Sequence, residues 1–157
     1  MSYANLTEAE RTQKVKEALE QAEKLRRERR YDEGIELLIE ALKYGAEKAQ
    51  IYFRLGNLYF DTQKLEHAEY AYRRAIDFDP KHINAHYNLG VVYKKQGRIS
   101  EYIKMRKLAN TLALRYPEQM VLSPDQVKRA RSFANRLLVF AGLVIVAIAL
   151  ALFLLTR

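Results

Sequence analysis

The 157-residue sequence predicts an all-α protein, in which a solenoid of about three helical hairpins is followed by a long C-terminal helix that continues into a single transmembrane span. Three observations predict this fold. The chain has an internal repeat with a period of 34 residues, it has no predicted strand, and nineteen consecutive apolar residues lie near its C-terminus. Such a repeat is typical of stacked helical hairpins, and about twenty apolar residues suffice for a helix to cross a bilayer.

The repeat is clearest in the middle of the chain, between residues 49–82 and 83–117. Identical residues lie 34 positions apart in three pairs: Leu55 and Leu89, Gly56 and Gly90, and Tyr59 and Tyr93. A weaker copy one period earlier contains Ala22, Leu25, Gly34, Leu38 and Ala41. Three copies are the minimum for a stable stack, because each hairpin buries its apolar face against its neighbours.

The middle copy also carries small and aromatic residues at fixed offsets from its Leu-Gly step, namely Tyr52, Tyr59, Ala68, Tyr72, Ala75 and Pro80. With this pattern, residues 15–117 resemble the tetratricopeptide repeat (TPR) family. The resemblance implies paired helices that cross most closely at Gly56 and Gly90, and a role in protein–protein interaction. In the third copy, Tyr102 and Arg106 replace a small and an aromatic residue, and Pro117 lies late, so that its second helix is predicted to be longer.

These patterns divide the chain into five predicted segments. They are an N-terminal lead-in (1–14), the TPR domain (15–117, with units of about 15–48, 49–82 and 83–117), a hinge (118–123), a basic juxtamembrane helix (124–136) and a transmembrane helix (137–156). Leu137 to Leu155 would rise about 29 Å as a helix, close to the ~30 Å hydrocarbon core of a bilayer.

The flanks of the predicted span indicate its orientation. Four basic residues precede it, namely Lys128, Arg129, Arg131 and Arg136, and only Arg157 follows it. Basic residues favour the cytoplasmic side and attract anionic lipid. No secretory signal is visible at the N-terminus. We therefore expect a tail-anchored, single-pass protein with a cytoplasmic N-terminal domain, and a bacterial plasma membrane is favoured over a eukaryotic organelle membrane.

The net charge of +8 is unevenly distributed. Residues 1–80 carry 14 basic and 16 acidic side chains, whereas residues 81–157 carry 13 basic and 3 acidic ones. No nucleic-acid-binding motif accompanies this excess, so the sequence does not predict a nucleic-acid partner. The charge is explained more simply as a topology signal beside the predicted span.

The sequence predicts neither an enzyme nor a cofactor. It has no cysteine and no glycine-rich phosphate loop, and its serines lie in no nucleophile context. His82 and His86 have a spacing that can chelate a metal ion on a helix, but His86 occupies a packing position of the repeat. No metal site is therefore predicted.

Binding is the expected activity, because the TPR resemblance implies a groove lined by the first helix of each hairpin. The predicted partner-binding residues are Phe53, Arg54, Asn57, Phe60, Asn84, Tyr87, Asn88, Val91 and Lys94, with Lys16, Leu19, Glu23, Arg26, Gln50 and Lys95 also facing the groove. Phe53, Phe60 and Tyr87 suggest aromatic anchors for a peptide or helix. Asn57 and Asn88 are either ligands for a peptide backbone or ordinary family residues.

Co-chaperone TPR domains bind the terminal carboxylate of chaperone tails with Lys, Asn and Arg side chains. The matching positions here are Leu19, Glu23, Arg54, Asn84 and Asn88, and none keeps the expected residue. The resemblance therefore does not predict a carboxylate clamp. The sequence predicts a membrane-anchored TPR scaffold or adaptor; the alternative is an accessory subunit or assembly factor of a multi-subunit integral membrane complex.

Overall fold

The computed structural model describes residues 6–117 and 131–144. The chain forms two compact units, Met1–Met120 and Val121–Arg157. The helices of the first unit are α1 (Glu8–Arg27), α2 (Tyr31–Ala41), α3 (Lys48–Asp61), α4 (Leu65–Phe78), α5 (Ile83–Lys95) and α6 (Ile99–Arg115), and a 3₁₀ turn at Leu42–Tyr44 follows α2. Each odd-numbered helix packs against the next even-numbered one, and α2 and α4 join successive hairpins by packing on α3 and α5.

Helix α1 begins within the segment predicted as a lead-in, because Thr7 caps it. The Thr7 hydroxyl accepts a hydrogen bond from the backbone N–H of Glu10, and the Glu10 carboxylate accepts one from the backbone N–H of Thr7. This reciprocal capping box satisfies two N–H groups that a helix start otherwise leaves without partners. The first helix is consequently 20 residues long, whereas α3 has 14.

The three hairpin turns repeat the same backbone geometry. Arg29, Gln63 and Gly97 lie 34 residues apart, and each adopts a positive φ of 61–77°. In each turn, the N–H of the next residue donates to a carbonyl five residues earlier at 2.9 Å, as Arg30 does to Leu25. This bond pattern ends a helix with a left-handed residue. The period of the sequence is therefore also a period of the backbone.

The core consists of two clusters of buried side chains. The first joins α1, α2 and α3 and includes Val15, Leu38 and Ile51, none of which is exposed to solvent. The second joins α4 to α5 around Tyr72 and Val92, with Tyr102 and Met105 of α6 packed at its edge. Helix α6 has 17 residues against the 14 of α4, as the late proline predicted.

The predicted C-terminal helix lies only partly within the described residues. Residues 131–144 are helical and exposed throughout, with Arg131 and Arg136 on their surface. The predicted hinge, Lys128 and Arg129 of the basic segment, and residues 145–156 of the predicted span lie outside the described part of the chain.

Among the residues that the structure describes, no helix is both long enough and apolar enough to span a membrane. By this finding the predicted single-pass membrane localisation is wrong. The predicted membrane anchor, and the alternative role in an integral membrane complex that depends on it, have no support in the described part of the chain.

Candidate interaction surface

The predicted groove residues on α1, α3 and α5 lie on one continuous surface, which we call the α1–α3–α5 face. Side chains about one repeat apart bridge these helices. The bridges are Arg54 to Glu23 at 3.0 Å, Arg26 to Asp61 at 2.8 Å, Asn88 to Asn57 at 3.0 Å and Lys95 to Gln63 at 3.1 Å. Of the predicted groove residues, these bridges bring together Glu23, Arg26, Arg54, Asn57, Asn88 and Lys95.

The α1 end of this face is an ion-pair network centred on Glu23. Its carboxylate contacts Arg26, Arg27 and Arg54 at 3.0–3.2 Å. Burial opposes the ionisation of Glu23, but the three guanidinium groups together hold its pKa below the usual range. Arg54 is therefore held by an internal ion pair with Glu23.

The centre of the face is a hydrogen-bonded network of polar side chains. The buried Tyr72 hydroxyl donates to the side-chain oxygen of Asn57 at 2.8 Å, and the Asn88 amide donates to the same oxygen at 3.0 Å. Burial raises the pKa of Tyr72, so its hydroxyl stays protonated as a donor. Of the two predicted roles for Asn57 and Asn88, the structure shows the internal one: they position Tyr72.

Phe53 is a packing residue more than an exposed anchor. Its ring lies 4.6 Å from the ring of His82 and 6.0 Å from that of Tyr72, measured between centroids. His82 caps α5, because its Nδ1 accepts a hydrogen bond from the Ala85 N–H at 3.2 Å. Burial lowers the pKa of His82 even though Asp79 opposes the shift.

Tyr87, by contrast, is exposed, and both Tyr87 and the half-buried Phe60 have a cation above the ring. Tyr87 is 38% exposed, and the Arg106 guanidinium lies 4.3 Å from its ring centroid. The Lys95 ammonium lies 4.8 Å from the centroid of the half-buried Phe60 ring. Arg106 stands one repeat after Tyr72 and contacts Tyr87 much as Tyr72 contacts Phe53. Sequence reasoning did not include Arg106 among the groove residues, but its spacing of 34 residues from Tyr72 is a signal from which its position beside this face could have been predicted.

The other predicted partner-binding residues, Asn84, Val91 and Lys94, differ in their exposure to solvent. Asn84 and Val91 are half-buried, whereas Lys94 is exposed and its ammonium lies 5.6 Å from the Tyr102 ring centroid. His86 is buried, with its Nε2 2.9 Å from the Pro80 carbonyl oxygen. In the part of the chain that is described, no group of three or more His, Asp or Glu side chains is arranged to hold a metal ion.

Comparisons with known proteins support the TPR family and show the TPR fold. A family model described as TPR repeat matches residues 56–97. The second TPR of Spaghetti (RPAP3), bound to the HSP90 peptide SRMEEVD, matches with a TM-score of 0.61 and 20% identity, covering 64% of this chain and 94% of that one. A MamA point mutant matches with a TM-score of 0.56 and 23% identity, over 71% of this chain and 77% of its own. No curated protein matches the chain. These likenesses lend no support to the predicted transmembrane anchor.

Proposed function

We propose that this protein is a non-enzymatic scaffold or adaptor that binds a segment of a partner protein on its α1–α3–α5 face. The observation that carries the proposal is the exposure of Tyr87 on a face where Arg54, Asn57 and Asn88 already have internal partners. An exposed aromatic ring on a rigid helical surface is a typical anchor for a partner side chain. The similarity to a TPR domain bound to a peptide supports the same mode of binding.

The structure determines which variant tests the proposal best. Replacing Phe53 would damage the core, because its ring packs on Tyr72 and His82. Tyr87→Ala removes an exposed ring instead. Tyr70→Ala is the matched control, because Tyr70 is also a tyrosine at the middle of a helix, is 61% exposed and lies on α4, outside the α1–α3–α5 face.

The experiment selects ligands from a phage library of random twelve-residue peptides, with the full chain as bait. Selected peptides are then titrated against the wild type and both variants, and circular dichroism establishes that each variant is folded. We expect Tyr87→Ala to weaken binding by tenfold or more, since an aromatic anchor contributes about 1–2 kcal/mol or more. We expect Tyr70→Ala to change it less than twofold. If the selected peptides bind all three chains equally, or if none is retained, the α1–α3–α5 face is not the binding surface.

A further inference from the structure

The third hairpin differs from the other two in the balance of its charges. Residues 83–117, which contain α5 and α6, carry seven basic side chains and one acidic side chain, Glu101. Glu101 is already paired with Arg98, whose guanidinium also binds Glu69 at 3.0 Å. The other six cations of this hairpin have no carboxylate partner within the described residues.

Three of these cations border the α1–α3–α5 face and are held over aromatic rings. Lys95 lies over Phe60, Arg106 over Tyr87 and Lys94 over Tyr102, with 4.3–5.6 Å between each cation and the ring centroid. A cation–π contact orients a cation without neutralising its charge. The side chains are therefore already positioned before a ligand arrives, which lowers the entropy lost on binding.

The α1 end of the same face provides the contrast. There, Glu23 pairs with Arg26, Arg27 and Arg54, and Arg26 also pairs with Asp61. At the α1 end each of these cations therefore has a carboxylate partner, whereas the cations at the α5 end have none within the described residues. An extended ligand that lies across the three helices would therefore bind preferentially in one orientation. Its acidic part would lie over the third hairpin.

We propose that the basic–aromatic end of the face, defined as Phe60, Tyr87, Lys94, Lys95 and Arg106, binds an acidic segment of a partner protein. The inference rests on the proposed function and specifies the partner's chemistry. Carboxylate side chains of the segment contact the three cations, while apolar side chains between them pack on the exposed ring of Tyr87. A free terminal carboxylate is not required, because the residues involved are not those of a carboxylate clamp.

The probe is a fluorescein-labelled peptide of twelve residues in which Glu alternates with Leu, Ala or Ser. Its C-terminus is amidated, so that only side-chain carboxylates are present. The comparison peptide has Gln in place of every Glu. Binding to the full chain is measured by fluorescence anisotropy at low and at raised salt. We expect the acidic peptide to bind at least tenfold more tightly than the Gln peptide, and raised salt to reduce this ratio through screening.

Charge reversal distinguishes a specific site from general attraction to a basic protein. The test variant is Lys94→Glu with Lys95→Glu, and the matched control is Lys104→Glu with Lys107→Glu. Both pairs change the net charge equally. Lys104 and Lys107 are exposed and lie on the opposite side of α6 from the buried Ala109. We expect a loss of tenfold or more for the test variant and of less than threefold for the control.

Each remaining outcome contradicts the proposal. Equal binding of the two peptides, or equal losses in the two double variants, would show that no acidic-segment site exists at this end. Tighter binding of a single-stranded oligo-dT competitor, with the same dependence on Lys94 and Lys95, would assign the site to nucleic acid instead. If library peptides depend on Tyr87 but contain no acidic residues, the proposed function stands and this inference fails.

Discussion

Gly56→Ala is expected to destabilise the protein strongly, because it tests the closest helix crossing in the second hairpin. A Cβ atom at position 56 would lie 2.5, 2.6 and 2.9 Å from three atoms of the Tyr72 ring. Contacts this short require something to move. The ring cannot withdraw easily, because Tyr72 is only 1% exposed and its hydroxyl is held by Asn57 at 2.8 Å.

The magnitude follows from three effects. Overpacking of a filled core costs about 1–3 kcal/mol. Displacing the ring also weakens the hydrogen bond to Asn57, which contributes about 1 kcal/mol. Replacing glycine by alanine within a helix returns ~1 kcal/mol of helix propensity. We therefore expect the free energy of unfolding of Gly56→Ala to fall by roughly 1–3 kcal/mol, and Tm to fall by about 3–10 °C in a chain of this size.

Gly90→Ala is the matched control, because Gly90 occupies the same position one repeat later. There the nearest atom to an added Cβ is the Met105 Cβ at 3.3 Å, and the Tyr102 carbonyl oxygen is at 3.5 Å. These contacts are tight but tolerable, so the gain in helix propensity should offset them to within ~1 kcal/mol.

The assay is urea unfolding followed by circular dichroism at 222 nm, with a double-mutant cycle between positions 56 and 72. In a Tyr72→Leu background the ring is gone, and Gly56→Ala should then cost at least 1 kcal/mol less than in the wild type. The steric reasoning is refuted if Gly56→Ala and Gly90→Ala unfold at the same urea concentration, or if the cost at position 56 is unchanged in the leucine background.

Two further predictions concern the turns and the pH dependence of stability. Gly97→Ala should lower the free energy of unfolding in urea by about 1 kcal/mol through backbone strain alone, because Gly97 has a φ of 77° and no atom lies within 4 Å of an added Cβ. Arg29→Gly at the equivalent turn should raise the free energy of unfolding by a few tenths of a kcal/mol to about 1 kcal/mol. Burial lowers the pKa of His82 below its ordinary 6.5, so the unfolded chain binds the proton more tightly. The free energy of unfolding should therefore fall as the pH drops from about 7.5 to 5.5.

Each of these predictions has its own check. A loss at Gly97→Ala no larger than that of a substitution on an exposed helix surface would contradict the strain argument. For the pH dependence, His82→Asn is the control, because asparagine also caps helices well but does not titrate in this range. If its urea midpoint depends on pH as steeply as that of the wild type, His82 is not the group responsible.

The sequence alone predicted the features that depend on position within the repeat. The 34-residue period located the hairpins, because the same apolar and small residues must recur wherever identical units stack. The resemblance to the TPR family also implied a close helix crossing at Gly56 and a groove lined by the first helix of each hairpin. The longer sixth helix followed from the displacement of Pro117.

The membrane localisation predicted from the apolar run is the expectation that the described structure overturns. That run of nineteen residues has the length and composition of a span, but no helix among the described residues has both properties. The domain boundaries and partner-binding residues remain predictions, for which the peptide experiments provide the tests.

Only the tertiary structure decided which residues of the face are available to a partner. The sequence pattern assigns Phe53, Arg54 and Asn57 the same predicted position, facing the groove from one side of the helix. In the fold, however, Phe53 packs on His82, Arg54 pairs with Glu23, and Asn57 accepts a hydrogen bond from Tyr72. Their partners come from other helices, some 15 to 31 residues away in the chain, and helical periodicity contains no information about those distances. The repeat period of the sequence predicted which side of its helix each side chain occupies, whereas packing between the hairpins determined which residues it contacts.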